Sequence, residues 1–266
     1  MSAANLFSAT SFAGHTAVIT GGASGIGHAI ARQLAEMGCA VAIFDRDEAA
    51  AAKACDKIAA YGSDVLPVMC DVTDCGSVDD AIARLLNWRP AVDHLVNSVG
   101  SVIGGDLSTI GLDMWRRSFA VNLDSVLIMS QALHARLAAS PFGSIVNIAS
   151  LAGKGAYPKG GGYGPSKAAL ISLSYQLAIE WASAGIRVNV VNPATTLTPL
   201  VHQLHSAESL AQRASTMPLG RLVDPEEVAA MACFLLSPAA SAMTAQAIDV
   251  DCGMSQSLVT AIKSRV

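Results

Sequence analysis

Thr20-Gly21-Gly22-Ala23-Ser24-Gly25-Ile26-Gly27 is the stretch that decides how this chain folds. The apolar run Thr16–Gly21 leads into it, and the helical spacing of Gly25–Met37 leads out. A strand, a glycine-rich turn and a helix N-terminus therefore follow one another without a break. Glycines let the backbone approach a pyrophosphate, and the free N–H groups of a first helical turn add positive potential. Gly21, Ser24, Gly25, Ile26 and Gly27 are thus candidate dinucleotide contacts. The spacing is G-x-x-x-G-x-G rather than the common G-x-G-x-x-G, and by itself such a cluster also suits a purely structural turn.

Reading outward, short apolar runs alternate with helical stretches almost to the C-terminus. The pattern predicts strands at Thr16–Gly21, Ala40–Asp45, Val65–Asp71, His94–Asn97, Ser144–Ser150, Arg187–Asn192 and Ala247–Val250. Helical spacing occupies Gly25–Met37, Val78–Asn87, Met114–Ala139, Gly164–Ser183 and Pro225–Leu236. Several strands are apolar throughout, as in a parallel sheet covered on both faces. Repeated β-α-β units give an α/β fold, a doubly wound parallel sheet with helices on both sides. Ligands then sit beyond the carboxyl ends of the strands, so polar residues there are the ones to weigh.

Asp45 ends the second strand, eighteen positions after Gly27, close to the ~20 expected of an acid that grips a ribose diol. A carboxylate there accepts from both ribose hydroxyls and repels a 2′-phosphate, which favours NAD over NADP. Arg46 argues the other way, since a guanidinium can pair with that phosphate. Asp71, Val72, Asn97 and Ser98 fall at later strand ends, although Asp71 also suits a helix cap and Asn97 a turn.

The bulk properties narrow the partners. With 266 residues, 52% hydrophobic and 14% charged, the chain can build one large core, and it shows no repeat or linker that would divide it. A net charge of −4 argues against nucleic acid. The six cysteines form no C-x-x-C pair, and without a secretory leader they read as reduced thiols. No apolar run reaches the ~18 residues of a membrane span. A cytoplasmic protein without membrane or nucleic-acid partners is the expectation, and no metal-ligand pattern stands out.

Tyr163-Gly164-Pro165-Ser166-Lys167 supplies the chemistry. Four positions apart at the start of a helix, Tyr163 and Lys167 share a face. An ammonium beside a phenol stabilises phenolate, and lowering a tyrosine from ~10 by ~3 requires about 4 kcal/mol. Ser150 ends a strand thirteen positions earlier, so a loop can return Tyr163 beside it. Singly, each of these is an ordinary helix-face pair or turn serine. Gly160-Gly161-Gly162, just before Tyr163, reads as a segment of unusual backbone freedom.

These motifs together resemble the short-chain dehydrogenase/reductase family in its roughly 250-residue branch, from about Gly14 to Gly253. They are T-G-G-A-S-G-I-G at 20–27, D-V at 71–72, N-S-V-G at 97–100, V-N-L at 121–123, S…Y-G-P-S-K at 150–167, N-P-A-T-T-L-T-P at 192–199 and D-V-D-C-G at 249–253. The resemblance implies one Rossmann-like catalytic domain at 14–253, with an arm at 1–13, a tail at 254–266 and about seven strands in the order 3-2-1-4-5-6-7. It further implies Tyr163 as acid/base, Lys167 also holding the nicotinamide ribose, Ser150 orienting the substrate oxygen and Asn122 keeping a water in a proton relay. Pro193, Thr196 and Thr198 would border the nicotinamide, with Thr198 fixing its carboxamide. Asp71 and Val72 would contact adenine, and Asn97 and Gly100 would line the groove. The chain departs from the family at Ser98, Val99, Ala194 and Cys252, none of which transfers a proton.

The implied activity is NAD-dependent interconversion of a secondary alcohol, polyol or hydroxysteroid-like hydroxyl with its ketone. The alternative is an NADP-dependent ketoreductase, including the 3-oxoacyl-carrier-protein type, and a third reading is a catalytically silent NAD sensor. The substrate pocket is expected between Val99–Asp106, Leu151–Gly162 and a cover from Leu197 to about Leu219. Its wall would be apolar (Val102, Ile103, Leu151, Leu200, Leu204), with Tyr157, Lys159, His202 and His205 as polar candidates; Lys159 suggests an anionic substrate. Met114–Ala139 and Gly164–Ser183 are apolar on more than one face, which with the resemblance points to a homotetramer.

Overall fold

Successive side chains of a strand point to opposite faces, so a strand that is apolar throughout needs a cover on both. β1 (Thr16–Thr20) shows this: Ala17 and Ile19 enter one core and Val18 the other, all fully buried. The computed structural model describes residues 11–257; the arm and tail expected at the two ends lie in part outside them. Seven parallel strands run in the order β3-β2-β1-β4-β5-β6-β7, as expected. They are β1, β2 (Ala40–Asp45), β3 (Val65–Met69), β4 (His94–Asn97), β5 (Ser144–Ile148), β6 (Arg187–Pro193) and β7 (Ala247–Val250). The register sets Val18 beside Ala42 of β2 and Leu95 of β4, so one layer of apolar side chains runs across the sheet.

Helices α1 (Gly25–Glu36), α2 (Glu48–Ala59) and α9 (Pro225–Leu236) pack on the face of Ile19, Ile43, Val96 and Val191. The opposite face of Val18, Phe44, Leu95 and Ile145 is covered by α3 (Cys75–Trp88), α5 (Ser125–Ala139) and α6 (Tyr163–Glu180). Each fully buried Leu or Ile contributes about 1.5–3 kcal/mol. Sequence alone marks the start of α9: Asp224 and Glu227 form a reciprocal capping box around Pro225. Two short helices, α7 (Pro199–Leu204) and α8 (Ala207–Thr216), follow β6 and close over Leu210, Met217 and Leu222.

The long helix expected over Met114–Ala139 is broken. α4 (Leu112–Phe119) passes through a π-helical segment, Ala120–Asp124, into α5. The wide turn is stabilised by side chains: Ser125 donates to the Val121 carbonyl (2.7 Å), and buried Asn122 turns away to grip another segment. All six cysteines are free, and no described helix is long and apolar enough to cross a membrane.

Candidate active site

The glycine turn after β1 is shaped by close approach. Gly21 (φ +64°) and Gly25 (φ +56°) lie in the left-handed region that suits glycine. A Cβ on Gly27 would stand 2.3 Å from the Gly21 carbonyl oxygen, so no other residue fits there without moving backbone. Ser24 precedes α1 in an extended conformation and makes no side-chain cap, which leaves the first N–H groups of α1 without that partner. Ile26 packs against the core, and the Asp45 carboxylate accepts from Ala23 N (3.3 Å) and Asp47 N (3.2 Å). The acid expected to read a ribose thus stands at the lip of the cradle, with Arg46 exposed beside it. Across the groove, Thr198 approaches so closely that a Cβ on Gly25 would touch its methyl at 3.3 Å. The chain therefore forms a narrow, glycine-lined slot between β1 and β6 that fits a dinucleotide pyrophosphate.

Around the slot, the polar strand ends divide. Asp71 is held below the ordinary carboxylate range by the hydroxyl and N–H of Thr73, with burial opposing and Arg46 and Arg117 helping. It caps its own turn, while Asp74 caps α3, and Val72 is buried beside it. Ser98 N donates to the Thr20 hydroxyl (3.1 Å), which ties the exit of β4 to β1. Asn97 differs from expectation. Its side chain turns into the core and donates to Asn147 (2.8 Å), which in turn donates to Ser174 of α6 (2.8 Å). Asn97 therefore braces β4, β5 and α6, and its amide does not present itself at the groove. Pro193 ends β6 and pairs with Val250 of β7; beyond it Thr196 donates to the Ala194 carbonyl (3.0 Å) and Thr198 accepts from Val201 N (3.3 Å) as the cap of α7.

The reacting group candidates converge where β4, β5 and α6 meet. Ser150 follows β5 in an extended conformation, and its Oγ accepts from Ala152 N (3.1 Å). Its hydroxyl lies near enough to the Tyr163 phenol to favour the phenolate. Lys167 is 3% exposed, and its Nζ donates to the Ile148 carbonyl (2.8 Å). Gly100 covers that nitrogen: a Cβ there would lie 3.2 Å from Lys167 Nζ and 3.3 Å from Asn122 Oδ1. Asn122 accepts from Ser101 N (2.9 Å) and donates to Ser101 O (3.0 Å) and to the Ser118 hydroxyl (3.3 Å). Both ends of its amide are used to hold the segment after β4.

The electrostatics depart from the spacing argument. Burial pushes the Tyr163 phenol up, the Ser150 hydroxyl opposes it, and Tyr157 adds to the rise. Burial brings the Lys167 ammonium down from 10.5 to about 8, and its hydrogen bond goes to a strand carbonyl. The helical spacing is correct, but the lysine stem runs inward under Gly100.

The triglycine segment also differs from its reading as a free hinge. All three residues are buried. A Cβ on Gly160 would stand 2.2 Å from the Tyr157 ring, on Gly161 2.8 Å from the Ile103 carbonyl oxygen, and on Gly162 2.8 Å from Ser118 Cβ. Crowding, not freedom, selects glycine. The Tyr157 ring lies edge-on to Tyr163 with centroids 5.8 Å apart, a neighbour that spacing alone did not reveal. Beside it opens a groove of about 490 Å³ lined by the 152–159 loop, Leu107, Gly161 and the start of α6. Val102, Ile103 and the 197–219 segment do not line this groove, and neither do Ser150 and Tyr163, so it adjoins the reacting groups through Tyr157. Thr20 and Asn147 were missed by sequence reasoning, while Tyr157, expected as a polar pocket residue, also packs on Tyr163; the asparagine in Ser144-Ile145-Val146-Asn147-Ile148 was a visible signal, a polar residue in an apolar strand.

No metal-binding cluster occurs among the described residues. Residues 21–255 match the family model described as Enoyl-(Acyl carrier protein) reductase. The chain is 34% identical over 239 residues to the NAD-dependent glycerol dehydrogenase of Listeria innocua, covering 89% of this chain and 92% of the relative. A short-chain type dehydrogenase/reductase from Mycobacterium marinum superposes with a TM-score of 0.88 at 31% identity, over 94% of this chain and 99% of that one. A 3-ketoacyl-(acyl-carrier-protein) reductase from Brucella melitensis, complexed with NADH, gives 0.83 at 32% identity over 91% and 99%.

Proposed function

The chain belongs to the short-chain dehydrogenase/reductase family, and from that premise we propose that it interconverts a secondary alcohol and its ketone with NAD, using Tyr163 as the general acid/base. Membership and relatives make it a nicotinamide-dependent oxidoreductase acting on CH–OH groups. The observation that carries the finer reading is the placing of Ser150, at the carboxyl end of β5, beside the Tyr163 phenol that opens α6, with Lys167 one turn on bonded to the β5 carbonyl of Ile148.

In this reading Ser150 holds the substrate oxygen, and Tyr163 takes the hydroxyl proton as the carbonyl forms. A bound oxidised nicotinamide supplies the hydride acceptor for the carbinol C–H and a positive charge that favours phenolate. Lys167, screened from water by Gly100, holds the ribose and keeps the floor of the site dry. Asn122 fixes the Ser101 peptide, and so the wall through which a proton must leave. Thr198 and its neighbours Pro193 and Thr196 form the nicotinamide end, and Asp71 and Val72 the adenine end.

Asp45 at the cradle lip favours NAD, because a second negative charge on the ribose would meet its carboxylate. An NADP-dependent ketoreductase is the second reading, favoured by exposed Arg46 and by likeness to a ketoacyl reductase. The chain also works as a homotetramer in this proposal, since Tyr175 and Ile179 of α6 stay 40% and 69% exposed on one chain; a monomer by light scattering overturns that part. The deciding assay follows NAD and NADP reduction over secondary alcohols, polyols, hydroxysteroids and hydroxy acids. Turnover with kcat/KM at least about tenfold higher for NAD supports the reading. A preference for NADP overturns the cofactor assignment, and NAD binding without turnover on any alcohol or ketone returns the silent sensor.

A further inference from the structure

The turn that carries Tyr157 is strained at an exposed residue. Gly160 N donates to the Tyr157 carbonyl (3.1 Å), closing Tyr157-Pro158-Lys159-Gly160. Proline stands second, and Lys159 third at φ +62°. A turn of that form asks for glycine or asparagine at its third position, and a lysine there is uncommon. Backbone held against preference is found where a site needs the side chain.

The backbone is not free to relax. The Lys159 carbonyl accepts from Gly105 N (3.0 Å), Gly160 forms a bridge with Gly105, and the three glycines that follow sit too close to their neighbours to carry a Cβ. The side chain is exposed and forms no ion pair among the described residues. Lys154, the other lysine on the groove, is already paired with Asp249 at 2.6 Å. Lys159 is therefore the cation left to meet a ligand in a groove of about 490 Å³ whose walls are mostly apolar, among them Leu107, Ala156 and Pro165. The first residue of the same turn, Tyr157, borders Tyr163.

We propose that Lys159 is a specificity-determining residue that receives the carboxylate of a hydroxy-acid substrate, whose apolar body lies in the groove and whose carbinol reaches Ser150 and Tyr163. The inference rests on the reading that these two residues handle an alcohol. The chemistry is that of the proposed reaction: the carbinol C–H hydride reduces NAD, the hydroxyl proton goes to Tyr163, and the acid becomes an oxo acid. Lys159 makes no bond; its charge selects and orients.

The test uses short 2-, 3- and 4-hydroxy acids, each paired with its neutral methyl ester, with NADH formation and melting temperature as readouts. Wild-type protein favours one acid over its ester in kcat/KM. Lys159→Gly, which relieves the turn, lowers that acid-to-ester ratio about tenfold, mostly through KM, while its melting temperature is no lower than wild type; Lys159→Arg restores the ratio. An unchanged ratio in Lys159→Gly, or a wild type that prefers no acid, overturns the proposal. If neutral secondary alcohols are still oxidised in that case, the alcohol-dehydrogenase reading stands without it; if no alcohol is oxidised at all, both fall.

Discussion

Lys167→Met should make the ligand-free protein more stable. The native ammonium is 3% exposed, donates a hydrogen bond to Ile148 O, and is brought by burial from 10.5 to about 8. At 1.36 kcal/mol per pH unit, keeping it charged in the fold costs about 3 kcal/mol. Methionine fills similar volume without charge, but it leaves the Ile148 carbonyl without that donor, a loss of about 1–2 kcal/mol. The net gain is about 1–2 kcal/mol, or roughly 3–6 °C in Tm for a chain of this size. The pH dependence follows from the direction of the shift. The folded value lies below the unfolded one, so the penalty is complete below about pH 8, shrinks as pH rises towards 10.5 and is gone above it. Urea melts of both proteins at pH 7 and pH 10.5 measure this, with the advantage expected at the first and absent at the second. A variant less stable than wild type at pH 7 would refute the view that this lysine is kept for function against the interest of the fold.

Gly27→Ala should disable the cradle, because its Cβ meets the Gly21 carbonyl at 2.3 Å and Gly21 N is anchored to Phe44 O at 2.8 Å. Overpacking of that kind costs about 1–3 kcal/mol, and the thermal shift given by NAD in the parent should vanish. Acid should weaken the fold before its carboxylates titrate. Burial holds His94, which bonds His15 and Ser144, well below 6.5, and also lowers His15. The unfolded chain then binds more protons, so stability falls as pH drops below about 6.5, and His94→Gln should flatten that slope in urea titrations between pH 7 and 5.

Much of the fold was legible because its strands are apolar from end to end and begin where turn residues stop. The starts of β1 to β7 follow from that pattern, and the order of the sheet from the family resemblance that the motifs carry together. What periodicity could not show is the break in Met114–Ala139. Ala120-Val121-Asn122-Leu123-Asp124 keeps a helical composition, and only the lone buried Asn122 hints that the turn widens to serve another segment. Gly160–Gly162 misled for a different reason: glycine marks both freedom and crowding, and only the neighbours Tyr157, Ile103 and Ser118 decide which. Likewise, four-residue spacing places Tyr163 and Lys167 on one helix face, but not the direction of the lysine stem or the burial that raises the phenol. Asn97 was assigned to the groove by its strand-end position, yet a one-sided reading of a strand cannot see that its facing neighbour, Asn147, claims the amide.

The central claim is that the Tyr163 hydroxyl carries the proton, and Tyr163→Phe tests it with the loss of one oxygen. Single-turnover NADH formation and NAD affinity should be measured on the same samples, using the best alcohol from the substrate screen. The account predicts a rate lower by about 10²–10⁴ with a dissociation constant for NAD within a few-fold of the parent. A variant that still turns over within about tenfold of wild type contradicts it.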